Sequence, residues 1–412
     1  MKIGILAYHS VCNFGATLQL LSTFYYLKNN GHNPIVINWV PEDLEAFYKK
    51  PTPAVQYEMQ LSLRSKIWIE TELCRTSADV ARAIEHNNIE AVIIGSDAVA
   101  QHHTFPENIL FPTKRIFSIL KFTQDRLFPN PFWGDFEQYL RNKIPIAFLS
   151  ASSQDSVYKY YSKKTKKSMS DSLAEFSWIS VRDSWTRAMF SHISDGKIIP
   201  PVTPDPVFAF NFNAGHLIPS ENQIRKKFNI EEPYFLFSFE NKRGITQDWI
   251  NLFKQESHHR GIVCVGLPFS MGTTFGKYDI MVDFPITPLE WYSLIKYSCG
   301  YIGNNMHPIV VALHNAIPFY SFDNYGRTKI KGLLTNDGSS KINHILKVAG
   351  FETHRVSCIN KFYDVPSPSY IISQLINFDK TKAVNFANTY YHSYQNNMDS
   401  IIKSFKNDVY IK

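Results

Sequence analysis

A single histidine, His307, stands directly before Pro308 and an apolar run in the stretch Tyr301 to Phe322, YIGNNMHPIVVALHNAIPFYSF. Proline is tolerated at the first position of a helix, where its missing N–H has no partner in any case. The spacing therefore predicts a helix capped by His307 and running to about Asn315. Free backbone N–H groups and the positive end of the helix dipole make such a start a site for a phosphate or a carboxylate. An imidazole there adds a proton donor to an anion-binding end. The competing reading is a buried histidine that only caps an α/β helix, and local sequence does not separate the two.

Other reactive side chains fall into no metal or disulfide pattern. Cys12, Cys74, Cys264, Cys299 and Cys358 are odd in number, widely scattered and without CxxC pairing, as expected of reduced thiols in a cytoplasmic protein. His102 and His103 are adjacent, but no carboxylate or cysteine spacing accompanies them, so no metal site is expected. His9 lies at the end of the first strand, and nothing in its spacing assigns it a role.

The elements that must position these groups alternate. Lys2 to Tyr8 reads as a strand, the turn HSVCNFG leads into the helical run ATLQLLSTFYYLKNNG, and PIVINWV follows as a second strand. This βαβ opening implies a parallel sheet with helices on both faces. AVIIGSD (Ala91 to Asp97), IPIAFLSASS and SWISVRD extend the first series, which closes at PPVTPDPVFAF. A second series begins near Ser220, with strands YFLFSF, IVCVGL, CGYIGN and PFYSF and helices at Ile245 to Gln255 and Pro288 to Lys296.

The expected architecture is α/β, with two Rossmann-like domains facing across a cleft: residues 1–215, 216–380, and a polar helix over 381–412 packing back on the first domain. In such folds ligands lie at the carboxyl ends of the strands. His307 follows the strand ending near Ile302 and belongs to that place. An insertion over 101–135 lacks clear periodicity. It reads as a loop or lid, or as a membrane-skimming element in which Phe117, Leu120, Phe122 and Phe128 are apolar while Lys114, Arg115, Lys121 and Arg126 meet anionic head groups. The basic run Tyr158 to Ser168 reads as a solvated helix face, with contact to a diphosphate lipid as the sharper alternative.

Bulk properties agree with a well-packed soluble protein. The 412 residues are 44% hydrophobic and 19% charged, too many for one ordinary core. The formal charge of +7 is local in origin, which favours anionic small substrates or a bilayer surface over nucleic acid. The amino-terminal apolar run is too short for a signal peptide, and no stretch approaches the ~18 residues of a membrane span.

Four signatures line up in order: HSVCNFGATLQ (His9 to Gln19), IIGSD (Ile93 to Asp97), SVRD (Ser180 to Asp183) with TPDPVF (Thr203 to Phe208), and NNMHPIVVALHNAIP (Asn304 to Pro318). Together they resemble the polysaccharide pyruvyl transferase family from Lys2 to about Asp323. The resemblance implies a fold similar to GT-B glycosyltransferases. It also implies transfer of the enolpyruvyl unit of phosphoenolpyruvate onto two hydroxyls of a sugar in a capsular, exopolysaccharide or cell-wall glycan. Donor binding falls to the second domain and acceptor binding to the first. A polyprenyl-diphosphate-linked oligosaccharide is the implied acceptor, with galactose ketalated across O4 and O6 the commonest form. The implied location is cytoplasmic, peripheral at the inner face of a bacterial membrane, and no cofactor beyond the donor is implied.

By the same resemblance His307 matches the family's histidine, an acid or base suited to protonating C3 of the donor. Arg182 matches the family's arginine and is the first candidate for the donor's anionic groups; a surface salt bridge to Asp183 or Asp205 is the alternative. A basic residue beyond the next strand also faces the donor in the family. Arg327 is the nearest match, Lys329 the alternative, and Lys331 a further cation. Asn13 and Gly15 sit on the first strand-to-helix turn, where N–H groups could face a ligand, and Asp97 ends a strand near the cleft. Two departures stand out. Asn305 replaces the arginine that precedes the histidine, and GSDAVA lacks a Gln and Trp common in relatives. A GT-B enzyme using a nucleotide sugar and a non-catalytic scaffold of polysaccharide assembly are the rival functions.

Overall fold

Parallel strands buried on both faces read as continuous apolar runs, and the chain has two sets of them. A computed structural model describes residues 1–104, 122–154, 156–240, 244–329, 334–336, 338–360 and 363–411. In the first sheet, β1 (Lys2–Leu6), β2 (Asn33–Val36), β3 (Ala91–Asp97), β4 (Ile146–Ala151) and β5 (Trp178–Val181) pair in parallel in the order β2-β1-β3-β4-β5. Every residue of β3 and β4 is buried. Helix α1 (Phe14–Asn29) follows β1. Between β2 and β3 lie α2 (Glu42–Lys49), α3 (Ala54–Ile67) and α4 (Ser77–His86), and α5 (Lys163–Ala174) and α6 (Ser184–Ile193) flank β5.

After α7 (Glu221–Phe228) the second sheet runs β6 (Tyr234–Ser238), α8 (Gln247–His258), β7 (Val263–Gly266), β8 (Ile280–Met281), α9 (Pro288–Lys296), β9 (Gly300–Gly303), α10 (Met306–His314) and β10 (Phe319–Asp323). A hairpin of β11 (Arg327–Lys329) and β12 (Leu334–Asn336) precedes α11 (Lys341–Ala349), β13 (Arg355–Ser357) and α12 (Pro368–Ile376). The sheet order is β13-β10-β9-β6-β7-β8, again parallel.

Strand order reverses between β1 and β3 in one sheet and between β6 and β9 in the other. Such switch points leave a crevice at the strand ends for ligands. α1 leaves β1 at the first and α10 leaves β9 at the second. The last helix, α13 (Lys380–Ile411), lies against β4 and β5. Asn397 accepts from the Trp178 indole at 3.0 Å and donates to Ser180 Oγ at 3.0 Å.

Helix starts follow side-chain chemistry. Thr287 caps α9 in a box with Glu290, with Pro288 at the first turn, and Asp183 caps α6 through Thr186 N. One expected boundary shifts: α10 begins at Met306 with Asn305 as its N-cap, so His307 lies inside the first turn rather than at the cap. Pro308 is still accommodated, because the first four N–H groups of a helix have no intrahelical acceptor.

Of the insertion over 101–135, residues 105–121 lie outside the described residues, and with them Lys114, Arg115, Phe117, Leu120 and Lys121. The remainder is stitched to the first domain. Phe122 stacks on His103 with centroids 4.4 Å apart, Phe128 meets Trp133, and Arg126 lies over Phe47. No helix among the described residues is long and apolar enough to cross a membrane.

Candidate functional site

Gly303 ends β9, and the chain turns at Asn304 and Asn305 into α10. The Asn305 side chain makes no capping hydrogen bond and no acidic residue stands in the first turn. The dipole's positive end is thus not answered locally. His307 is partly buried there, with its Nε2 closed to solvent and without a hydrogen-bond partner among the described residues. Burial holds the imidazole below its ordinary range; Asp97 and Asp205 oppose the shift, and Arg182 and Lys341 reinforce it. The ring is neutral at pH 7, and added negative charge nearby would favour its protonated form.

Across the cleft the start of α1 meets this ring. Asn13 caps α1 by accepting from Ala16 N at 3.3 Å, and Gly15 lies against His307. A methyl group on Gly15 would overlap Cγ, Nδ1 and Cδ2 of the imidazole. The two helix starts therefore converge on one point.

Arg182 is buried rather than on the surface, and of the two partners named for an ion pair, Asp183 or Asp205, it takes Asp205. Its Nη1 donates to Asp205 at 2.9 Å and its Nη2 to Asp97 at 3.1 Å, whereas Asp183 is occupied by Ser152 and Thr186. Gln19 donates to the same Asp205 oxygen at 2.6 Å. Burial works against the guanidinium's charge, and Asp97, Asp205 and Asp183 overcome it and raise its pKa. For Asp97 burial likewise opposes charge, yet Arg182, Lys341 and His307 bring the carboxyl down to about 2. Asp97 also sits at φ +77°, a left-handed conformation that side chains rarely adopt and that concentrates at functional sites.

A cavity of about 220 Å³ opens beside this network, lined by Ser152, Gln154 and Asp183 from the first domain and by Asn324, Tyr325, Gly326, Ser339 and Lys341 from the second. It is smaller than the ~300–1,000 Å³ typical of drug-sized ligands. Among the described residues its one lining cation is Lys341, the first residue of α11, which the sequence alone did not single out. Ser340 caps α11 and also donates to the buried Asp323 at 2.6 Å. Asp323 further accepts from Arg355 Nε at 2.6 Å and from Tyr325 N at 2.8 Å, and burial still leaves its pKa raised. Lys341 Nζ lies 5.1 Å from the Tyr325 ring centroid. The end of β10 thereby holds Ser340 and Tyr325 on either side of the lysine.

Arg327 and Lys329 lie on β11, their side chains outside what is described, and Lys331 lies wholly outside. The hairpin they belong to separates β10 from α11, and the cation that lines the cavity among the described residues comes after it. The cue was present in Ser339-Ser340-Lys341, a capping serine before a helix, but it stands beyond the strand where the cation was sought. Among the described residues no group of three His, Cys, Asp or Glu side chains could hold a metal ion.

The sequence model of one family, described as polysaccharide pyruvyl transferase, matches residues 13–325. The chain belongs to that family. Its matched span takes in Asn13, Gly15, Asp97, Arg182, Asn305 and His307, but stops before Lys341. Transfer of a pyruvyl group to polysaccharide is the activity that defines a member, and the chain is a transferase in that sense. No curated protein matches by sequence.

Solved structures extend the likeness over the whole fold. The UDP-N-acetylglucosamine 2-epimerase of Rickettsia bellii is 10% identical at a TM-score of 0.51, covering 100% of this chain and 99% of its own. The UDP-GlcNAc 2-epimerase of Neisseria meningitidis, bound to UDP-GlcNAc, is 11% identical at 0.50, covering 98% and 100%. This pyruvyl transferase family member therefore has the GT-B-like arrangement of two Rossmann-like domains.

Proposed function

We propose that the protein moves the enolpyruvyl unit of phosphoenolpyruvate onto two hydroxyls of one sugar, leaving a cyclic pyruvate ketal and free phosphate. The observation that carries this reading is the meeting, at the two switch points, of the starts of α1 and α10 around the His307 imidazole, beside Arg182 and Lys341. A small donor with a phosphate and a carboxylate needs positive groups and a proton source, and we assign these to Lys341, the start of α10 and the His307 imidazole.

The chemistry assigns His307 the acid role. A proton delivered to C3 uses the C2–C3 π electrons to form the new C–H bond and leaves C2 electrophilic. One sugar hydroxyl adds to C2 and loses its proton, and the C2–O bond to phosphate breaks with its electrons leaving on phosphate. The neighbouring hydroxyl then adds to C2, gives its proton to the departing phosphate, and closes the ketal. The neutral, partly buried imidazole gains its proton when the donor's anionic groups arrive, since they favour the imidazolium. Lys341 and the start of α10 take the place of the arginine that Asn305 replaces. Arg182, with both Nη groups engaged by Asp97 and Asp205, is assigned to hold these strand ends in place rather than to add net positive charge.

The acceptor we propose is a lipid-linked capsular or exopolysaccharide precursor with a galactose that accepts the ketal across O4 and O6, met at the inner face of the membrane. Incubation with phosphoenolpyruvate and a panel of polyprenyl-diphosphate-linked galactosides tests the whole reading. Phosphate release together with a ketal-bearing product by mass spectrometry supports it. Turnover of a nucleotide sugar with release of nucleoside diphosphate would replace it with glycosyl transfer, and no turnover with any pyruvylatable glycan would favour a scaffold.

A further inference from the structure

We propose that Gly15 is a positioning residue for His307, so that the first domain supplies the seat in which the second domain's imidazole works. The inference rests on the reading of His307 as the acid. Gly15 lies within α1 and has no positive φ, so the backbone does not demand glycine there. Alanine is the better helix former at such a position. What demands glycine is space, because any Cβ would come within the 3.0 Å that real Cβ contacts essentially never cross, against the ring itself.

The ring cannot easily give way. On its own helix it is flanked by the buried Met306 and Pro308. On the other side stands α1, whose neighbours Phe14 and Ala16 are buried as well. Gly15 follows β1 and His307 follows β9, so the contact joins the two switch points and exists only while the domains face each other. Opening the cleft would free the imidazole, and closing it would restore one orientation. The acid is therefore assembled by domain closure rather than carried ready-made on α10.

A displacement of about 1 Å in a catalytic group can lower turnover ~10²-fold. Gly15→Ala is accordingly expected to reduce kcat by that order while leaving the KM for phosphoenolpyruvate within a few-fold. The imidazole signal of His307, followed by NMR against pH, should move back toward ordinary histidine values. A double-mutant cycle guards against a mere folding defect. The loss of thermal stability in Gly15→Ala should largely vanish in the His307→Ala background, where the methyl has room.

Equal destabilisation in both backgrounds, or an unchanged kcat in Gly15→Ala, overturns the positioning role. Full turnover by His307→Ala instead overturns the acid assignment beneath it, so the two failures are distinguishable.

Discussion

Arg182 and Asp205 form a buried ion pair at 2.9 Å, and the carboxylate oxygen they share also accepts from Gln19 on α1. With Asp97 on the other nitrogen, the guanidinium, carried on the turn after β5, is held between the end of β3 and the loop that follows α6. Removing one partner of such a pair leaves an uncompensated charge and costs about 3–5 kcal/mol. Asp205→Ala is expected to lose stability on that scale in urea unfolding, and Asp205→Asn less, because the amide keeps an oxygen for Gln19 or Arg182. Arg182→Lys cannot span both carboxylates and should lower kcat/KM while retaining the fold by circular dichroism.

Lys341 is the cation that lines the cavity among the described residues. Hydrogen bonds to charged groups are worth about 1.5–3 kcal/mol, which corresponds to roughly 10- to 150-fold in affinity. Lys341→Ala is expected to raise the KM for phosphoenolpyruvate within that range. Arg327→Ala and Lys329→Ala should change it only a few-fold. Initial-rate kinetics on the three variants decide the assignment, and the reverse ranking would return the role to the hairpin.

The alternating strands and the place of His307 after β9 were legible because buried parallel strands announce themselves as apolar runs. The three helices between β2 and β3 were not. The buried face of α3 is Gln56, Gln60 and Arg64, spaced four apart, so the apolar stripe that identifies a helix is missing. Two of those side chains find partners far off in sequence, Gln60 in Thr17 and Arg64 in Asn38, and Arg64 also pairs with the nearby Glu70. Lys341 escaped for a related reason. A hairpin of ordinary polar composition displaces it along the chain, and only tertiary structure returns it to the strand end.

His314 ends α10 with its Nε2 accepting from Asn211 N at 3.4 Å, which fixes the neutral ring. Burial, aided by Lys296, pushes its pKa down to about 3. The unfolded chain, with histidine near ~6.5, binds the proton first as pH falls. The stability that this group contributes is thus complete above pH ~6.5 and is lost progressively toward about 3. His9, held down to about 4 by burial and Arg64, acts in the same direction. Thermal melting between pH 7 and 5 should show a falling Tm, and His314→Leu should make the slope shallower without abolishing it.

Gln56 ties the domains twice over, donating to Ile286 O and accepting from Ile286 N, both at 2.9 Å. The pair imitates a strand ladder between a side chain on α3 and the backbone that precedes α9. Gln56 and Ile286 are both buried, so truncation leaves a peptide N–H and C=O without partners and out of water. Each such group costs about 1–3 kcal/mol. Gln56→Ala is expected to destabilise the protein on that scale and to favour an open cleft. Because Gly15 and His307 meet only when the domains face each other, the variant should also lower kcat. Hydrogen exchange at the starts of α1 and α10 reports the opening directly: faster exchange at both, with the two sheets protected as before, is the expected pattern. Unchanged exchange there would mean that the Gln56 tie does not hold the domains in place.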